Sequence, residues 1–331
     1  MSSTELNSTY KRPQTGWLYY LPTSWIPYVQ LMRLDRPHGL WYFFLPHLFG
    51  ATQAAIHLRT PPTALLTTSL IVFIGTIIMR GATCTWNDTV DAPFDRQVVR
   101  TRDRPVARGA VSPFAANIFT AVQTILSLAI LLNLPSICRM YALPPIIGWI
   151  LYPLAKRVTY YPQVVLGFPM AWGVFMGSAA MGSDPLQLFR AEAHGQNQPT
   201  MFVGAFYAAN VLWTLFYEII YSHQDASEDT KAGVKNIVLL YQGHTKPLLM
   251  KLAMAQVFFL VLAGYLGQAG FMYWICTVLG TTVTSAIILM KVRLDVPEDC
   301  AWWFKNGCCR FTGGAMMAGL LGDYSMTMLR S

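Results

Sequence analysis

A short stretch of the sequence gathers several carboxylates at regular intervals. In NDTVDAPFD, residues 87–95, the side chains of Asn87, Asp91 and Asp95 follow one another four residues apart. Asp88 comes three residues before Asp91. Side chains three or four residues apart lie on the same face of a helix, and carboxylates so close together repel one another unless a cation lies among them. The stretch therefore predicts a helix end that binds a cation.

A second acidic stretch repeats this pattern later in the chain. In YSHQDASEDTKAGVKN, Asp225 and Asp229 are again four residues apart, and Tyr221 lies one helical turn before Asp225. Carboxylate oxygens are hard ligands of the kind that Mg²⁺ prefers, often together with phosphate oxygens of a substrate. The two stretches together predict Mg²⁺ as a cofactor.

Basic residues lie beside both acidic stretches. They are Arg96, Arg100, Arg102, Arg104, Arg108, Lys156, Arg157, Lys231 and Lys235. A metal on some oxygens and Arg or Lys on the others is the combination that a diphosphate group requires. One acidic loop at a membrane surface would most often be a solvated loop. Two clusters with helical spacing favour a functional site, because ionised groups near apolar segments are costly.

The composition places most of the chain in lipid. Of its 331 residues, 54% are hydrophobic and 12% are charged, against about 25% charged in an average soluble domain. Mean hydropathy is +0.38. A transmembrane helix needs about 20 mostly apolar residues. Nine segments meet this requirement: 38–57, 64–86, 113–134, 137–154, 163–182, 201–222, 246–265, 269–290 and 307–328. We therefore predict an all-α, multi-pass membrane protein with nine transmembrane helices.

The distribution of Lys and Arg predicts the orientation of these helices. If nine spans alternate, seventeen basic residues lie on one side of the membrane. Four lie on the other side, namely Arg59, Arg139, Arg190 and Arg330. Basic residues favour the cytosolic side, so both acidic stretches are expected to face the cytosol. The net charge of +8 follows from the same bias, and binding to nucleic acid is not expected.

The remaining features divide the chain into two parts. Residues 1–36 are predicted to form a cytosolic and interfacial segment, and residues 37–331 to form one transmembrane domain. The first 30 residues resemble neither a secretory signal nor a mitochondrial transit peptide, which favours the endoplasmic reticulum or a bacterial membrane over mitochondrial import, and we predict the endoplasmic reticulum. The six cysteines are scattered without a Cys-x-x-Cys pair, so no disulfide framework or zinc site is expected. No obligate protein partner is predicted.

These motifs resemble those of the UbiA superfamily of membrane prenyltransferases. The family's first motif, N-D-x-x-D-x-x-x-D, is met by Asn87, Asp88, Asp91 and Asp95. Its second motif, D-x-x-x-D followed by K-x-G-x-[KR], is met by Asp225, Asp229, Lys231, Gly233 and Lys235. The segments RLDRPHG, RTRDRPVARGAVS, YPLAKRVTYYPQVVLGFPMAWG and WWFKNG are also similar to family segments, so the resemblance covers nearly the whole chain. Glu218 stands where many aromatic prenyltransferases of the family have Asp.

The resemblance implies a fold and a reaction. The helices would surround a central cavity that is capped by the two motif-bearing loops. Mg²⁺-dependent ionisation of a prenyl diphosphate would yield an allyl cation, which an electron-rich aromatic ring attacks. The expected metal ligands are Asn87, Asp91, Asp95, Asp225 and Asp229, and the four aspartates are the expected catalytic residues.

The resemblance also implies which residues bind the substrates. The expected set is Asn87, Asp88, Arg102, Arg104, Lys156, Arg157, Lys231, Lys235, Arg33, Arg80 and Tyr221. Within this set, Arg33 and Arg80 are the candidates for binding a carboxylate of the acceptor.

The predicted enzyme transfers a prenyl group, farnesyl, from its diphosphate to a ring carbon of a phenolic acceptor of the orsellinic acid type, as in fungal meroterpenoid pathways. Its partners are these two small molecules and the lipid bilayer. Two alternatives remain within the family, namely 4-hydroxybenzoate polyprenyl transfer in ubiquinone synthesis and a membrane terpene cyclase. A transporter of an anionic substrate is disfavoured, because transporters hold charge near the bilayer midplane whereas these clusters lie at helix ends.

Overall fold

In the computed structural model, the described residues are 10–186, 198–225, 233 and 235–330, with the side chains of 198–200 excepted. All regular structure in these ranges is helical. The helices are α1 (Ile26–Leu31), α2 (His38–Leu58), α3 (Pro62–Asp95), α4 (Pro113–Leu131), α5 (Cys138–Val158), α6 (Pro162–Ala171), α7 (Gly173–Ala180), α8 (Gln198–Ser222), α9 (Ile237–Leu240), α10 (Thr245–Leu266), α11 (Gly280–Lys291), α12 (Pro297–Trp302) and α13 (Gly314–Leu329). Two π-helical segments, Tyr273–Leu279 and Trp303–Gly313, lead directly into α11 and α13.

Six helical segments within the described ranges are long and apolar enough to cross a membrane, so the protein is an integral membrane protein. They are Pro62–Asp95, Pro113–Leu131, Pro162–Ala180, Met201–Ser222, Thr245–Leu266 and Tyr273–Lys291. The other three predicted spans are helical as well, but they carry more polar residues. Three histidines lie in α2, Lys156 and Arg157 end α5, and Lys305 and Arg310 lie in the second π segment. The prediction of nine spans is therefore not confirmed.

The length of α3 places the first acidic stretch. The helix has 34 residues and is about 51 Å long, while the hydrocarbon core of a bilayer is about 30 Å thick. Its last turns therefore extend beyond the apolar region while remaining helical through Pro93. The stretch that carries Asp88, Asp91 and Asp95 is helical, as its spacing predicted, and it follows the apolar residues of this helix.

Close helix packing in the centre of the bundle relies on glycines. A Cβ atom on Gly50 of α2 would overlap the carbonyl oxygen of Val174 in α7, and one on Gly177 of α7 would overlap that of His47. Small residues let membrane helices approach backbone to backbone, where dispersion contacts replace a hydrophobic driving force. Around this contact, Phe49, Phe206 and Trp213 are fully buried.

The turn before α2 is held by a buried arginine. Arg80 of α3 is 6% exposed, and it donates hydrogen bonds of 3.0 Å to the carbonyl oxygens of Arg33 and Arg36. Arg33 has a φ of 57°, a left-handed conformation that costs a non-glycine residue about 1–3 kcal/mol. The Arg80 hydrogen bond to its carbonyl offsets part of this cost. Because of this turn, the Arg33 side chain points toward α3.

Candidate active site

The acidic residues of α3 line one buried face near its end. Asp88, Asp91 and Asp95 are at most 6% exposed, and the helix that carries them is continuous. The helical spacing read from the sequence therefore describes their arrangement correctly. Buried carboxylates require compensation by cations or hydrogen bonds, and each of the three has a basic partner.

Three basic side chains from different parts of the chain pair with this face. The Arg33 guanidinium lies 2.6 Å from Asp88 Oδ1. Arg104, in the loop after α3, lies 2.9 Å from Asp95 Oδ2 and 3.3 Å from Asp88 Oδ1. These contacts bring the turn before α2 and the loop after α3 to the same carboxylates.

The end of α5 contributes the third cation. Lys156 Nζ lies 2.7 Å from Asp91 Oδ2 and 4.8 Å from the centre of the Tyr152 ring. Arg157, the next residue, donates instead to the backbone carbonyl of Val90 at 2.8 Å and lies over the Phe94 ring. Lys156 therefore faces the carboxylates, whereas Arg157 holds α5 against the outside of α3.

The second acidic stretch is tied to the first by Arg100. The Arg100 guanidinium binds both carboxylate oxygens of Asp225, with Nε 2.6 Å from Oδ1. It also donates to the Tyr221 hydroxyl at 2.8 Å. Asp225 is 7% exposed. Because Arg100 belongs to the loop after α3 and Asp225 follows α8, this bidentate pair brings the two motifs together.

Both loop arginines keep their charge. Burial lowers the pKa of Arg100, but Tyr221 and Asp225 more than offset this effect, and the pKa lies above its ordinary value. Burial also works against the charge of Arg104, and Asp95 and Asp88 raise its pKa well above the ordinary value. The two guanidiniums therefore remain positively charged across the neutral and alkaline range.

The other basic residues predicted to bind substrate have different contacts from those of Arg104 and Lys156. Arg80 contacts backbone carbonyls rather than the carboxylate face. Lys235 donates to the carbonyl of Val158 at 3.4 Å, and its own backbone N–H donates to the carbonyl of Lys156 at 3.1 Å. Arg102 is half-buried in the loop after α3. Asp229 and Lys231 lie outside the described residues.

Oxygen atoms without partners mark where a cation would fit. Asn87 Oδ1 and Asp88 Oδ2 are buried, and neither has a hydrogen-bond partner among the described residues. Within those ranges, no group of three or more His, Cys, Asp or Glu side chains is arranged to hold a metal ion. The Asn87 amide oxygen would add to the carboxylate oxygens, and Asp229 lies outside the described residues. Hard oxygen donors in this number suit Mg²⁺.

An aromatic wall lies beneath the charged residues. The rings of Tyr42 and Tyr217 are 3.9 Å apart, and Tyr42 lies 4.6 Å from Phe304. Phe304 also contacts Tyr221, with ring centres 4.7 Å apart. The Tyr42 hydroxyl donates to the carbonyl oxygen of Phe304 at 2.5 Å. The π segment therefore positions Phe304, a role that the sequence pattern did not identify.

An apolar cavity lies deeper in the bundle, between α2, α3, α4, α5 and α7. It has a volume of about 110 Å³, and its walls include Phe43, Met79, Trp149 and Trp172. The rings of Phe43 and Trp149 are 5.9 Å apart. Trp149 precedes Lys156 by two helical turns, so the cavity lies on the membrane side of the charged residues.

The sequence is similar to those of known prenyltransferases over most of its length. Residues 38–312 match the UbiA prenyltransferase family. The chain is 33% identical to the prenyltransferase ascA of Acremonium egyptiacum, over 97% of this chain and 92% of that protein. It is 34% identical to the prenyltransferase stbC of Stachybotrys bisbyi, over 94% of this chain and 93% of that protein. It is also 34% identical to the mitochondrial 4-hydroxybenzoate polyprenyltransferase of Saccharomyces cerevisiae, over 86% of this chain and 73% of that protein.

Solved structures share the fold. A UbiA homologue from Aeropyrum pernix K1 superposes with a TM-score of 0.66 at 24% identity, over 86% of this chain and 97% of that one. A UbiA homologue from Archaeoglobus fulgidus bound to GPP and Mg²⁺ gives a TM-score of 0.66 at 18% identity, over 92% of this chain and 99% of that one. The family match over most of the chain and the similarity to named prenyltransferases establish that this protein is a prenyltransferase of the UbiA family.

Proposed function

We propose that the protein transfers a farnesyl group from its diphosphate to a ring carbon of a phenolic acid of the orsellinic type, in a Mg²⁺-dependent reaction of meroterpenoid biosynthesis. The observation that carries the proposal is the Arg100–Asp225 pair, which holds the two acidic motifs against each other. The similarity to ascA, stbC and the UbiA prenyltransferase claS of Ampulloclitocybe clavipes favours a fungal meroterpenoid pathway.

The oxygen donors of the site fit Mg²⁺. Its ligands would be Asn87, Asp91 and Asp95 from α3 together with Asp225 and Asp229, with Asp88 beside them. When bound, Mg²⁺ would supply Lewis-acid stabilisation of the diphosphate leaving group. The unpartnered Asn87 Oδ1 and Asp88 Oδ2 support this set, since a buried oxygen without a partner is costly.

The basic side chains around the carboxylates would bind the diphosphate oxygens. Three of them lie within 3.3 Å of carboxylates on α3, namely Arg33, Arg104 and Lys156. A fourth, Arg100, donates hydrogen bonds to Asp225. Preorganised cations stabilise developing negative charge in a water-poor site without needing to rearrange. These four residues therefore hold the leaving group while the C–O bond of the prenyl diphosphate breaks.

The prenyl chain would extend toward the membrane. The apolar cavity beside Phe43 and Trp149 is lined mainly by hydrophobic and aromatic side chains, as small-molecule sites usually are. The aromatic wall of Tyr42, Tyr221 and Phe304 would face the allyl cation, which ring faces attract. Exclusion of water from this region prevents capture of the cation as an alcohol.

A second candidate is supported by other relatives. Mitochondrial 4-hydroxybenzoate polyprenyltransferases from yeast, mouse and human are 33–35% identical to this chain. A 4-hydroxybenzoate acceptor would require the same ionising site, with a longer prenyl donor in the apolar cavity.

One experiment separates these candidates. Membranes containing the protein are incubated with Mg²⁺, geranyl, farnesyl or geranylgeranyl diphosphate, and a panel of phenolic acids that includes orsellinic and 4-hydroxybenzoic acids. Products are identified by mass spectrometry, and released diphosphate is measured. We expect farnesylated orsellinic acid. Prenylation of 4-hydroxybenzoate alone would support the second candidate, and absence of diphosphate release from every donor would overturn both.

The site is proposed to face the cytosol from the endoplasmic reticulum membrane. The excess of Lys and Arg on the side of the acidic motifs supports this orientation. Single cysteines introduced in a cysteine-free variant at exposed positions 99 and 109 are expected to react with a membrane-impermeant thiol reagent applied to sealed microsomes from the cytosolic side. Protection of both positions until the vesicles are opened would contradict the orientation.

A further inference from the structure

Glu218 is a carboxylate inside a membrane-spanning helix without a direct partner. It lies in α8, within the span Met201–Ser222, and it makes no hydrogen bond or ion pair with the residues that the structure describes. The four site aspartates described above each have a basic partner. Glu218 therefore differs from them and needs its own explanation.

A structural role does not explain this residue. An ionisable group inside a span is costly, and such groups usually face a cavity and take part in function. A carboxylate that stabilised the fold would be hydrogen-bonded, as Asp323 in α13 is to the backbone N–H groups of Gly270 and Met272. Glu218 lacks such bonds, so its oxygens are available to a ligand.

The position of Glu218 relates it to the ionising site. It precedes Asp225 by seven residues, which places both on the same face of the helical path and separates them by about 10 Å along the axis. This distance is too long for both carboxylates to bind the same metal ion. Glu218 therefore lies on the membrane side of the diphosphate end, at the depth where the reactive carbon and the acceptor ring must meet.

Basic side chains and tyrosine hydroxyls lie within electrostatic range of Glu218. The charges of Lys156 and Arg100 act on its carboxylate, and the carboxylate in turn acts on the hydroxyls of Tyr42, Tyr152 and Tyr217. Two of these tyrosines belong to the aromatic wall. A flat aromatic acceptor beside these rings would present its polar substituent to a carboxylate that has no partner among the described residues.

We propose that Glu218 accepts the hydroxyl proton of the aromatic acceptor and so directs the ring carbon toward the prenyl cation. This inference rests on the proposed function and names the residue that selects a phenol as acceptor. A phenol becomes a stronger carbon nucleophile as its O–H proton is withdrawn, because negative charge spreads onto the ring.

The proposed step balances in atoms and charge. The C–O bond of the prenyl diphosphate breaks, and diphosphate leaves with the electron pair. The ring carbon donates an electron pair to form the new C–C bond, while the O–H proton passes to Glu218 and a cyclic dienone results. The proton on the alkylated ring carbon then passes to the diphosphate, which restores the aromatic ring as a phenolate. Glu218 returns its proton to the phenolate oxygen and is regenerated.

The test compares two products of the same reaction mixture. Glu218→Gln keeps the size of the side chain and removes its capacity to accept a proton, and Glu218→Asp keeps the carboxylate but withdraws it by one methylene. Glu298→Gln, the same change at an exposed position on α12, is the matched control. For each variant, released diphosphate, free prenol and C-prenylated product are measured with Mg²⁺, and melting in detergent reports folding.

For Glu218→Gln we expect C-prenylation to fall by about 100-fold or more, the usual range for loss of a general base, while diphosphate release falls far less and prenol becomes the main product. C-prenylation by Glu218→Asp is expected to lie between that of Glu218→Gln and that of the wild type. The methyl ether of the acceptor has no hydroxyl proton for Glu218 to accept. Its use in place of the phenol should reduce C-prenylation by the wild type, but it should reduce C-prenylation by Glu218→Gln little further.

Three results would overturn the proposal. They are C-prenylation by Glu218→Gln within about 3-fold of the wild type, an equal loss of C-prenylation and diphosphate release in a folded variant, and equal sensitivity of both proteins to the methyl ether. Failure of the proposed function itself looks different, because the wild type would then release no diphosphate from any donor.

Discussion

At the scale of single residues, the site is a set of carboxylates whose charges are compensated by cations from three parts of the chain. Arg33, Arg100, Arg104 and Lys156 each reach an acidic residue within hydrogen-bonding distance. Removal of one partner from a buried pair leaves the other charge uncompensated. Substitutions here are therefore expected to affect stability as well as turnover, and each experiment must separate the two.

Asp91→Ala and Asp225→Ala are each expected to abolish turnover, because each removes a proposed metal ligand. Diphosphate release in the presence of Mg²⁺ measures the effect, and membrane insertion with melting in detergent shows that the protein is folded. Asp295→Ala, on an exposed position, should leave turnover unchanged. Near-normal activity of either site variant would contradict the proposed ligand set.

Arg100→Lys is expected to reduce kcat/KM for the prenyl diphosphate by about 10–100-fold. Lysine cannot reproduce the bidentate contact with Asp225 together with the Tyr221 hydrogen bond, and each charge-assisted hydrogen bond contributes about 1.5–3 kcal/mol. Arg293→Lys makes the same change in an exposed pair with Asp299 at 3.6 Å and should have little effect. Equal kinetics for the two variants would show that Arg100 is not required to join the motifs.

At the scale of elements, the site depends on helices that end at different depths and on close contacts between them. Helix α3 carries its acidic residues past the lipid, and the π segment before α13 positions Phe304 against Tyr42. The contact of α2 with α7 fixes these two helices against each other, because Gly50 and Gly177 leave no room between the two backbones.

Gly50→Ala is expected to lower the free energy of unfolding by about 1–3 kcal/mol, the usual cost of overpacking, because its Cβ would overlap the backbone of Val174. Gly314→Ala is the control, since a Cβ atom there meets nothing within 4 Å and alanine favours the helix by up to about 1 kcal/mol. Thermal melting in the same detergent measures both. A Gly50→Ala variant as stable as Gly314→Ala would mean that α2 and α7 are not packed as described.

At the scale of the whole molecule, the fold brings together two motifs that are more than a hundred residues apart. The loop after α3 and the end of α8 meet through Arg100 and Asp225. On the membrane side of this junction lie the aromatic wall, Glu218 and the apolar cavity. Charge at one end and apolar space at the other match the two parts of a prenyl diphosphate.

Mg²⁺ added together with inorganic diphosphate is expected to raise the Tm of the detergent-solubilised protein, because ligands that bind only the folded state stabilise it. A concentration of about 100 times the Kd would contribute about 2.7 kcal/mol. Diphosphate with EDTA should give a smaller shift, and Asp225→Ala should reduce the shift seen with Mg²⁺. An unchanged Tm in the wild type would argue against the metal–diphosphate site.

The sequence alone determined the chemistry and the local geometry of this protein. Helical spacing and apolar length are local properties, so Asp88, Asp91 and Asp95 could be placed on one face of a helix, and the all-α membrane class could be predicted. The family resemblance also held over the chain. The count of nine spans was not confirmed, because polar residues in α2, α5 and the second π segment make those helices ambiguous by composition.

Only the tertiary structure decided which cation meets which carboxylate. Arg100 was one of five arginines in a short loop, and no spacing distinguishes the one that reaches Asp225 from the one that reaches Asp95. Arg80, predicted as a substrate ligand, holds the turn that directs Arg33 toward Asp88. Such pairings depend on where distant backbones come to lie and on which buried groups need compensation. For this reason, only the folded chain shows that Glu218 has no partner among the described residues.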